Sequence, residues 1–244
     1  KFRQLQSQIQ GVAVNDTQQA IHPDELMSPA AELTLDAETS AGLMMPVGFY
    51  ALMESALRFS RGESVEANRD RLAALYSRMS EVAASNPHAW KREVVAAETI
   101  RSAVGKNRML AFPYTKLHNS EWNVDQASAL LLCSEAFADE LGVAQAKRIY
   151  PLVSSESNHM VCLSQREQLH RAPGAALSLD AALAHAGLEK KSLKLLDLYS
   201  CFPAAVQIFA DEAGVDTALR DITVTGGMPF AGGPLNNYVL QATC

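Results

Sequence analysis

The sequence predicts an α/β fold, and three features lead to that class. Strand-like and helix-like segments alternate over the second half of the chain, glycines follow the helix-like segments, and two loops follow consecutive strand-like segments. The predicted strands are residues 149–153, 193–199 and 222–224, and the predicted helices include residues 179–186 and 203–213. In folds of this class, ligands bind where loops leave the carboxyl ends of strands.

The first half of the chain contains a polar segment followed by a helical one. Residues 1–42 are polar and rich in Gln, Asp and Pro, which predicts an extended covering segment. Residues 43–112 form a predicted helical domain, in which one long helix should end before Pro87 because a residue preceding proline disfavours the helical conformation. The apolar residues at helical spacing in that helix are Leu72, Leu75, Met79 and Val82.

The composition narrows the classes of partner and compartment. The chain has 27 acidic and 21 basic residues, for a net charge of −6. The basic residues are scattered, which argues against nucleic acid as the main partner, because phosphate binding needs clustered positive charge. Four widely spaced cysteines predict neither a disulfide framework nor a metal site. With no apolar run of about 20 residues and no secretory signal, a cytoplasmic protein is expected.

The first candidate site is the loop that joins a predicted strand to the helix at residues 203–213. A helix N-terminus stabilises negative charge, so side chains in this loop are placed for chemistry. Tyr199 could exchange a proton with an oxygen that becomes charged, and Cys201 could be a nucleophile, with Ser200 between them as a substrate-binding residue. The alternative is a structural turn in which Tyr199 packs and Cys201 fills space.

The second candidate site is the glycine-rich stretch 225–238. Two glycine pairs bracket a hydrophobic tip and allow close approach of a ligand to the backbone. The spacing matches neither a Walker phosphate loop nor a dinucleotide-binding loop, and a purely structural turn is the alternative. The predicted substrate-binding residues are Gly226, Gly227, Gly232, Gly233, Pro234, Asn236 and Asn237, with Tyr238 as a catalytic residue.

His118 is a weaker candidate. It lies in a predicted loop and could contact a ligand, although a surface or core role is also open. None of the six histidines has a second histidine or a carboxylate at metal-ligand spacing, so no metal site is predicted.

Several phrases together resemble the thiolase superfamily. The closest likeness is to bacterial thiolase-like proteins of the acetyl-CoA acetyltransferase type, and it extends over residues 113–244. The phrases that carry it are Phe-Pro-Tyr-Thr-Lys-Leu at 112–117, Asp-Leu-Tyr-Ser-Cys-Phe-Pro at 197–203, Ala-Gly-Gly-Pro at 231–234 and Asn-Asn-Tyr at 236–238. The resemblance implies a thiolase-like C-terminal half with a mixed sheet and flanking helices, incomplete here, after a helical loop domain.

The resemblance also implies altered catalytic residues. Gly233 stands where thiolases carry a catalytic histidine, and Tyr199 where they carry an asparagine or histidine that holds the oxyanion. By this resemblance, the acyl-accepting cysteine is expected in an N-terminal half outside these residues, and the second catalytic cysteine would follow Cys244. Residues 1–244 alone are therefore expected to be inactive. Losing the histidine would in addition slow the usual thiolase reaction by about 10²–10⁴-fold.

Three functions follow as hypotheses from the resemblance. The first is an acyltransferase acting on CoA thioesters, with CoA thioester as substrate and no permanently bound cofactor. The second is a retro-aldol carbon–carbon lyase of β-hydroxyacyl-CoA that uses Tyr199 and Tyr238 as acid and base. The third is a non-catalytic CoA-binding or scaffolding subunit. Under all three, the expected partner is a second copy, another thiolase-like subunit or a small accessory protein.

Overall fold

The computed structural model describes residues 33–158 and 160–244, all within one compact unit, so most of the predicted covering segment 1–42 lies outside the described residues. Strands β1 (Met109–Ala111) and β2 (Tyr114–Thr115) form an antiparallel pair. The α-helices of the described part are α1 Asp36–Ser40, α2 Pro46–Ser60, α3 Val65–Ser85, α4 Ala97–Arg101, α5 Glu135–Glu140, α6 Pro173–Ala186, α7 Pro203–Ala213 and α8 Asn237–Thr243.

The long predicted helix is confirmed as α3. Its N-terminus is capped by Ser64, whose Oγ accepts a hydrogen bond of 3.1 Å from the backbone N–H of Ala67. It ends before Asn86, as the Asn-Pro pair predicts. Val82 is only half-buried and Ala83 is buried instead, so the buried face is Leu72, Leu75, Tyr76, Met79 and Ala83.

The main core joins α3 to the second half of the chain. The buried side chains of α3 pack with Ile100 of α4, Val206 of α7, and the loop residues Ile222 and Phe230. The helical segment and the glycine-rich stretch therefore share one core, and α3 supports the loop in which the second candidate site was predicted.

A buried carboxylate, Glu54 of α2, links three parts of the fold. It accepts hydrogen bonds from Asn68 Nδ2 at 2.8 Å, the Tyr114 hydroxyl at 2.9 Å and Gln207 Nε2 at 3.0 Å. The Tyr114 hydroxyl also accepts the backbone N–H of Ala204 at 3.2 Å, in the first turn of α7. Burial raises the pKa of Glu54, while the hydrogen bonds from Asn68 and Tyr114 act in the opposite direction.

The predicted strands at 149–153, 193–199 and 222–224 do not form a sheet within the described residues, whose sheet consists of β1 and β2. A strand needs a neighbouring backbone to complete its hydrogen bonds, and two of these segments are joined by the bond from Leu198 N–H to Ile222 O at 2.9 Å. Ile149 is 89% exposed and Leu152 67% exposed. The prediction of paired strands from these apolar runs is thus wrong for the described residues.

The predicted helices of the second half are confirmed with one shifted start. Helix α7 has the predicted bounds, with Pro203 at its start and Gly214 beyond its end in the left-handed conformation (φ 68°). Helix α6 begins at Pro173, six residues before the predicted start, because proline at the first position favours a helix start there. Among the described helices, none has the length and apolar character required to cross a membrane.

Candidate functional site

The structure brings the two predicted loops side by side. Ser200, which is fully buried, accepts a hydrogen bond of 2.9 Å at its Oγ from the backbone N–H of Met228. The backbone carbonyl of Cys201 accepts from Ser120 N–H, and the carbonyl of Met228 accepts from Glu121 N–H. These contacts tie the start of α7 to the tip of the glycine-rich stretch, with residues 120–121 between them.

Asp197 is the acceptor on which the second loop converges. Its Oδ2 accepts from Thr223 Oγ1 at 2.9 Å and from the backbone N–H of Val224 at 3.0 Å. The N–H and hydroxyl of Thr225 lie 3.4 and 3.3 Å from the same oxygen. Its other oxygen, Oδ1, accepts from the Tyr238 hydroxyl at 2.8 Å. One carboxylate therefore joins the loop before α7, the turn before the glycines and the first turn of α8.

The two predicted catalytic tyrosines are in contact but differ in exposure. Their ring centroids are 5.9 Å apart in an edge-to-face arrangement, with 85° between the ring planes. Tyr199 is 40% exposed, whereas Tyr238 is 1% exposed. Burial is the main cause that raises the pKa of both hydroxyls, and the charge of Asp197 raises the pKa of Tyr238 further. Tyr199 is thus the hydroxyl of the pair that a ligand can reach.

Cys201 lies beside Tyr50 and is partly exposed, and all four cysteines are free. Burial raises the pKa of its thiol, although a hydrogen bond with the Tyr50 hydroxyl acts in the opposite direction. Tyr50 is held in place by stacking on Phe202, with 4.6 Å between ring centroids. The thiolate form that a nucleophile requires is therefore disfavoured, despite the nearby start of α7.

The glycine-rich stretch is buried from residue 225 to residue 233, and its glycines serve close packing. The backbone N–H groups of Gly226 and Gly227 both donate to Thr223 Oγ1, at 3.1 and 3.0 Å, and Gly233 N–H donates to Glu121 O at 2.7 Å. A side chain at Gly233 would meet Ser120 Oγ and would come within 2.8 Å of Met228 Cε. Three of the amides that could have faced a ligand are occupied internally, and this arrangement leaves no room for a histidine at Gly233.

The two asparagines at the start of α8, Asn236 and Asn237, have different surroundings. Asn236 is exposed and makes no side-chain cap bond, and Pro234 before it is half-buried. Asn237 accepts from the backbone N–H of Ser128 at its Oδ1, while its Nδ2 is buried without a partner among the described residues. Gly232 packs against Gln126, where a methyl group would overlap the amide oxygen of that side chain.

His118 lies in an aromatic core cluster. It is 2% exposed between Tyr76 and Tyr114, with ring centroids 5.2 and 6.0 Å away. Its Nδ1 accepts from the backbone N–H of Thr115 at 3.2 Å. Burial lowers its pKa to about 4, and the positive charge of Arg69 acts in the same direction. The core role that the sequence left open describes its position here, and its role toward a ligand stays a prediction.

Cavities and metal-binding groups do not mark a second centre. A cavity of about 420 Å³ is lined by residues of the segment 161–173 and by none of the predicted site residues. Within the two described ranges, no cluster of His, Cys, Asp or Glu side chains is placed to hold a metal ion. The site that the geometry offers is thus the exposed Tyr199 with the network behind it.

Asp197, Thr223 and Thr225 were missed as functional residues by sequence reasoning. A signal was present, because Asp197 and Tyr199 are two residues apart, as are Thr223 and Thr225. Residues at a spacing of two lie on one face of an extended segment, so the two side chains of each pair could have been expected on the same side.

Comparison with solved structures defines the fold. The crystal structure of a monomeric SCP2-thiolase like protein type 1 from Mycobacterium smegmatis matches with a TM-score of 0.74 and 30% identity, covering 87% of this chain and 47% of that chain. The Ltp2-ChsH2(DUF35) aldolase matches with a TM-score of 0.59 and 17% identity, covering 86% of this chain and 57% of that chain.

The chain therefore has a thiolase-like fold and spans about half the length of these two structures. The finer resemblance to proteins of the acetyl-CoA acetyltransferase type stays a prediction. Neither a protein-family model nor a curated protein matches the sequence.

Proposed function

We propose that the protein binds CoA thioesters in a thiolase-like site and makes or breaks a carbon–carbon bond by proton transfer through Tyr199. The observation that carries this proposal is the edge-to-face pair of Tyr199 and Tyr238, in which Tyr199 is 40% exposed and Tyr238 is buried. The thiolase-like fold supports the choice of ligand class.

Tyrosine chemistry is favoured over cysteine-dependent acyl transfer by the surroundings of Cys201. Its thiol has a raised pKa, and Gly233 supplies no general base. A thiol without a base is only weakly ionised at neutral pH, so nucleophilic attack by Cys201 would be slow. Acyl transfer, the first hypothesis from the sequence, would then depend on a cysteine outside these 244 residues.

Tyr199 is suited to act as the general acid of a retro-aldol reaction. Cleavage of a β-hydroxyacyl-CoA passes the hydroxyl proton to solvent water, breaks the bond between the α and β carbons and releases a carbonyl compound with the enolate of an acyl-CoA, which then takes a proton from Tyr199. The Tyr199 oxygen regains its proton from solvent. Burial raises the pKa of Tyr199, so its hydroxyl keeps its proton at neutral pH and can donate it to the enolate. Tyr238, whose hydroxyl is bonded to Asp197 and Thr225, supports the ring of Tyr199.

Replacing Tyr199 with phenylalanine tests the proposal. We expect Y199F in the full-length protein to lose about 10²-fold in turnover of β-hydroxyacyl-CoA, because phenylalanine keeps the ring and removes the proton. Products are followed by mass spectrometry as the acyl-CoA ester and the released aldehyde or ketone. Free CoA with a shortened or lengthened acyl-CoA would indicate acyl transfer instead.

Tyr150 offers a matched control for Y199F. Its hydroxyl is exposed and bonded to Glu135 at 2.9 Å, away from the two loops of the site. Y150F should keep the wild-type rate. Full turnover in Y199F would refute the role of Tyr199.

A second candidate, a CoA-binding subunit without turnover, is favoured by the internal hydrogen bonds of the Gly226 and Gly227 amides. Groups that are already bonded do not stabilise an oxyanion. Retention of acyl-CoA without turnover by the full-length protein would support this function.

In either case we propose that the protein works with a second subunit. A small accessory protein is suggested by the name of the Ltp2-ChsH2(DUF35) aldolase, while the matched protein from Mycobacterium smegmatis is monomeric.

A further inference from the structure

Asp197 lies behind the tyrosine pair and makes more hydrogen bonds than a turn requires. One oxygen, Oδ2, is used by the Thr223–Thr225 turn, where it accepts from Thr223 Oγ1 and from the backbone N–H of Val224. The other oxygen, Oδ1, reaches beyond the turn to the hydroxyl of Tyr238, 41 residues along the chain, at 2.8 Å. This second bond is the one that needs a separate explanation.

The Tyr238 hydroxyl is held from two sides. It lies 2.8 Å from Asp197 Oδ1 and 2.9 Å from Thr225 Oγ1, which is itself close to Thr223 Oγ1 at 3.2 Å. A carboxylate without a proton can only accept, so the phenolic proton points to Asp197. With its hydroxyl bonded at both sides and its ring 1% exposed, Tyr238 has one defined orientation.

The orientation of Tyr238 determines where the ring of Tyr199 can lie. Contacts along the loop alternate: Leu198 and Ser200 bond to residues 222 and 228, while Asp197 and Tyr199 both contact Tyr238. The ring of Tyr238 thus touches Asp197 through its hydroxyl and Tyr199 through its edge-to-face contact. Because Tyr199 is 40% exposed, this contact restricts a side chain that solvent would otherwise leave free.

We propose that Asp197 is a positioning residue that holds the ring of Tyr199 through Tyr238. Asp197 does not itself contact the ligand in this arrangement, and its effect on the reaction passes through the edge-to-face ring pair. The role in catalysis rests on the proposed function of Tyr199, while the structural coupling between the three side chains does not. A displacement of about 1 Å at a reacting group can cost about 10²-fold in rate, so a positioning residue has a measurable effect.

The test compares D197N, Y238F and the double variant in the full-length protein labelled with 3-fluorotyrosine. Asparagine keeps the shape of Asp197 but removes the charge, and phenylalanine keeps the ring of Tyr238 but removes its hydroxyl. The ¹⁹F resonance of Tyr199 is assigned from its loss in Y199F, and its position and pH titration are then measured. D180N, at an exposed residue of α6 paired with Lys190, is the matched control.

We expect D197N and Y238F each to shift the Tyr199 resonance and its titration, with D180N unchanged. We also expect each to lower kcat by about 10-fold or more with KM within about twofold, because the loss concerns the orientation of a reacting group. The double variant should show no more than the larger single effect, since both changes interrupt the same path. If D197N fails to fold, as judged by circular dichroism, Y238F alone still tests the path.

Unchanged Tyr199 resonances in D197N and Y238F would overturn the inference, as would effects on kcat that add in the double variant. The fluorine result separates this inference from the proposed function. A wild-type protein that turns over no thioester, with shifted resonances in both variants, would refute the reaction and keep the coupling. Normal turnover in D197N, together with loss of turnover in Y199F, would refute the positioning role of Asp197 in catalysis and keep the reaction.

Discussion

Replacing Gly226 with alanine is expected to lower the free energy of unfolding by about 2–6 kcal/mol. Gly226 has a φ of 104°, which an alanine adopts only with strain of about 1–3 kcal/mol. A methyl group at this position would also overlap Cβ and backbone atoms of Ala83 in α3, and overpacking of this kind adds about 1–3 kcal/mol. Urea unfolding followed by circular dichroism measures the change.

Gly105 gives a control that separates the two causes. It also has a positive φ, of 55°, but a methyl group there would meet no atom within 4 Å. G105A should therefore cost only about 1–2 kcal/mol, the cost of the backbone conformation alone. Equal losses in G105A and G226A would show that contact with α3 is not what requires glycine at position 226.

Acidification from pH 6.5 to pH 4 is expected to remove about 3 kcal/mol of stability through His118. Burial lowers the pKa of His118 from 6.5 to about 4, so the folded protein keeps it neutral where the unfolded chain binds a proton. The contribution is thus fully present above pH 6.5 and is lost as the pH falls toward 4. One pKa unit corresponds to about 1.4 kcal/mol, which sets the expected size.

In addition to burial, a hydrogen bond at Nδ1 disfavours protonation of His118. Thr115 N–H donates to Nδ1, so a proton added there would face another donor. In H118Q, the amide oxygen can accept from Thr115 while no group titrates. Urea unfolding of H118Q between pH 7.5 and 4.5 should give a shallower loss of stability than the wild type, and H88Q, at an exposed histidine, should not. An unchanged slope in H118Q would contradict this assignment.

The helices of this protein could be predicted closely from sequence because their signals are local. Pro203 and Gly214 mark the bounds of α7, and Asn86 before Pro87 ends α3. The sheet could not be predicted in the same way, because strand pairing depends on a distant backbone. Apolar runs such as 149–153 show that a segment favours a strand and do not show what it pairs with.

The two loops of the candidate site could be predicted from the sequence, but the contacts that connect them could not. Tyr199 and Tyr238 were selected, and the structure brings their rings together. The glycines were read as room for a ligand, whereas Gly226 and Gly233 make room for α3 and Ser120. A glycine in the sequence indicates a position where a side chain is disfavoured. Only tertiary packing shows whether the space beside it is filled by a ligand or by the protein.

The buried carboxylate of Glu54 has a consequence for where this chain can be divided. Because Glu54 binds Tyr114 and Gln207, a cut at the predicted boundary near residue 112 would separate the acceptor from two of its three donors. Each fragment would then expose polar groups that are paired across the boundary in the intact chain. We therefore expect residues 33–244 to melt in a single cooperative transition instead of two.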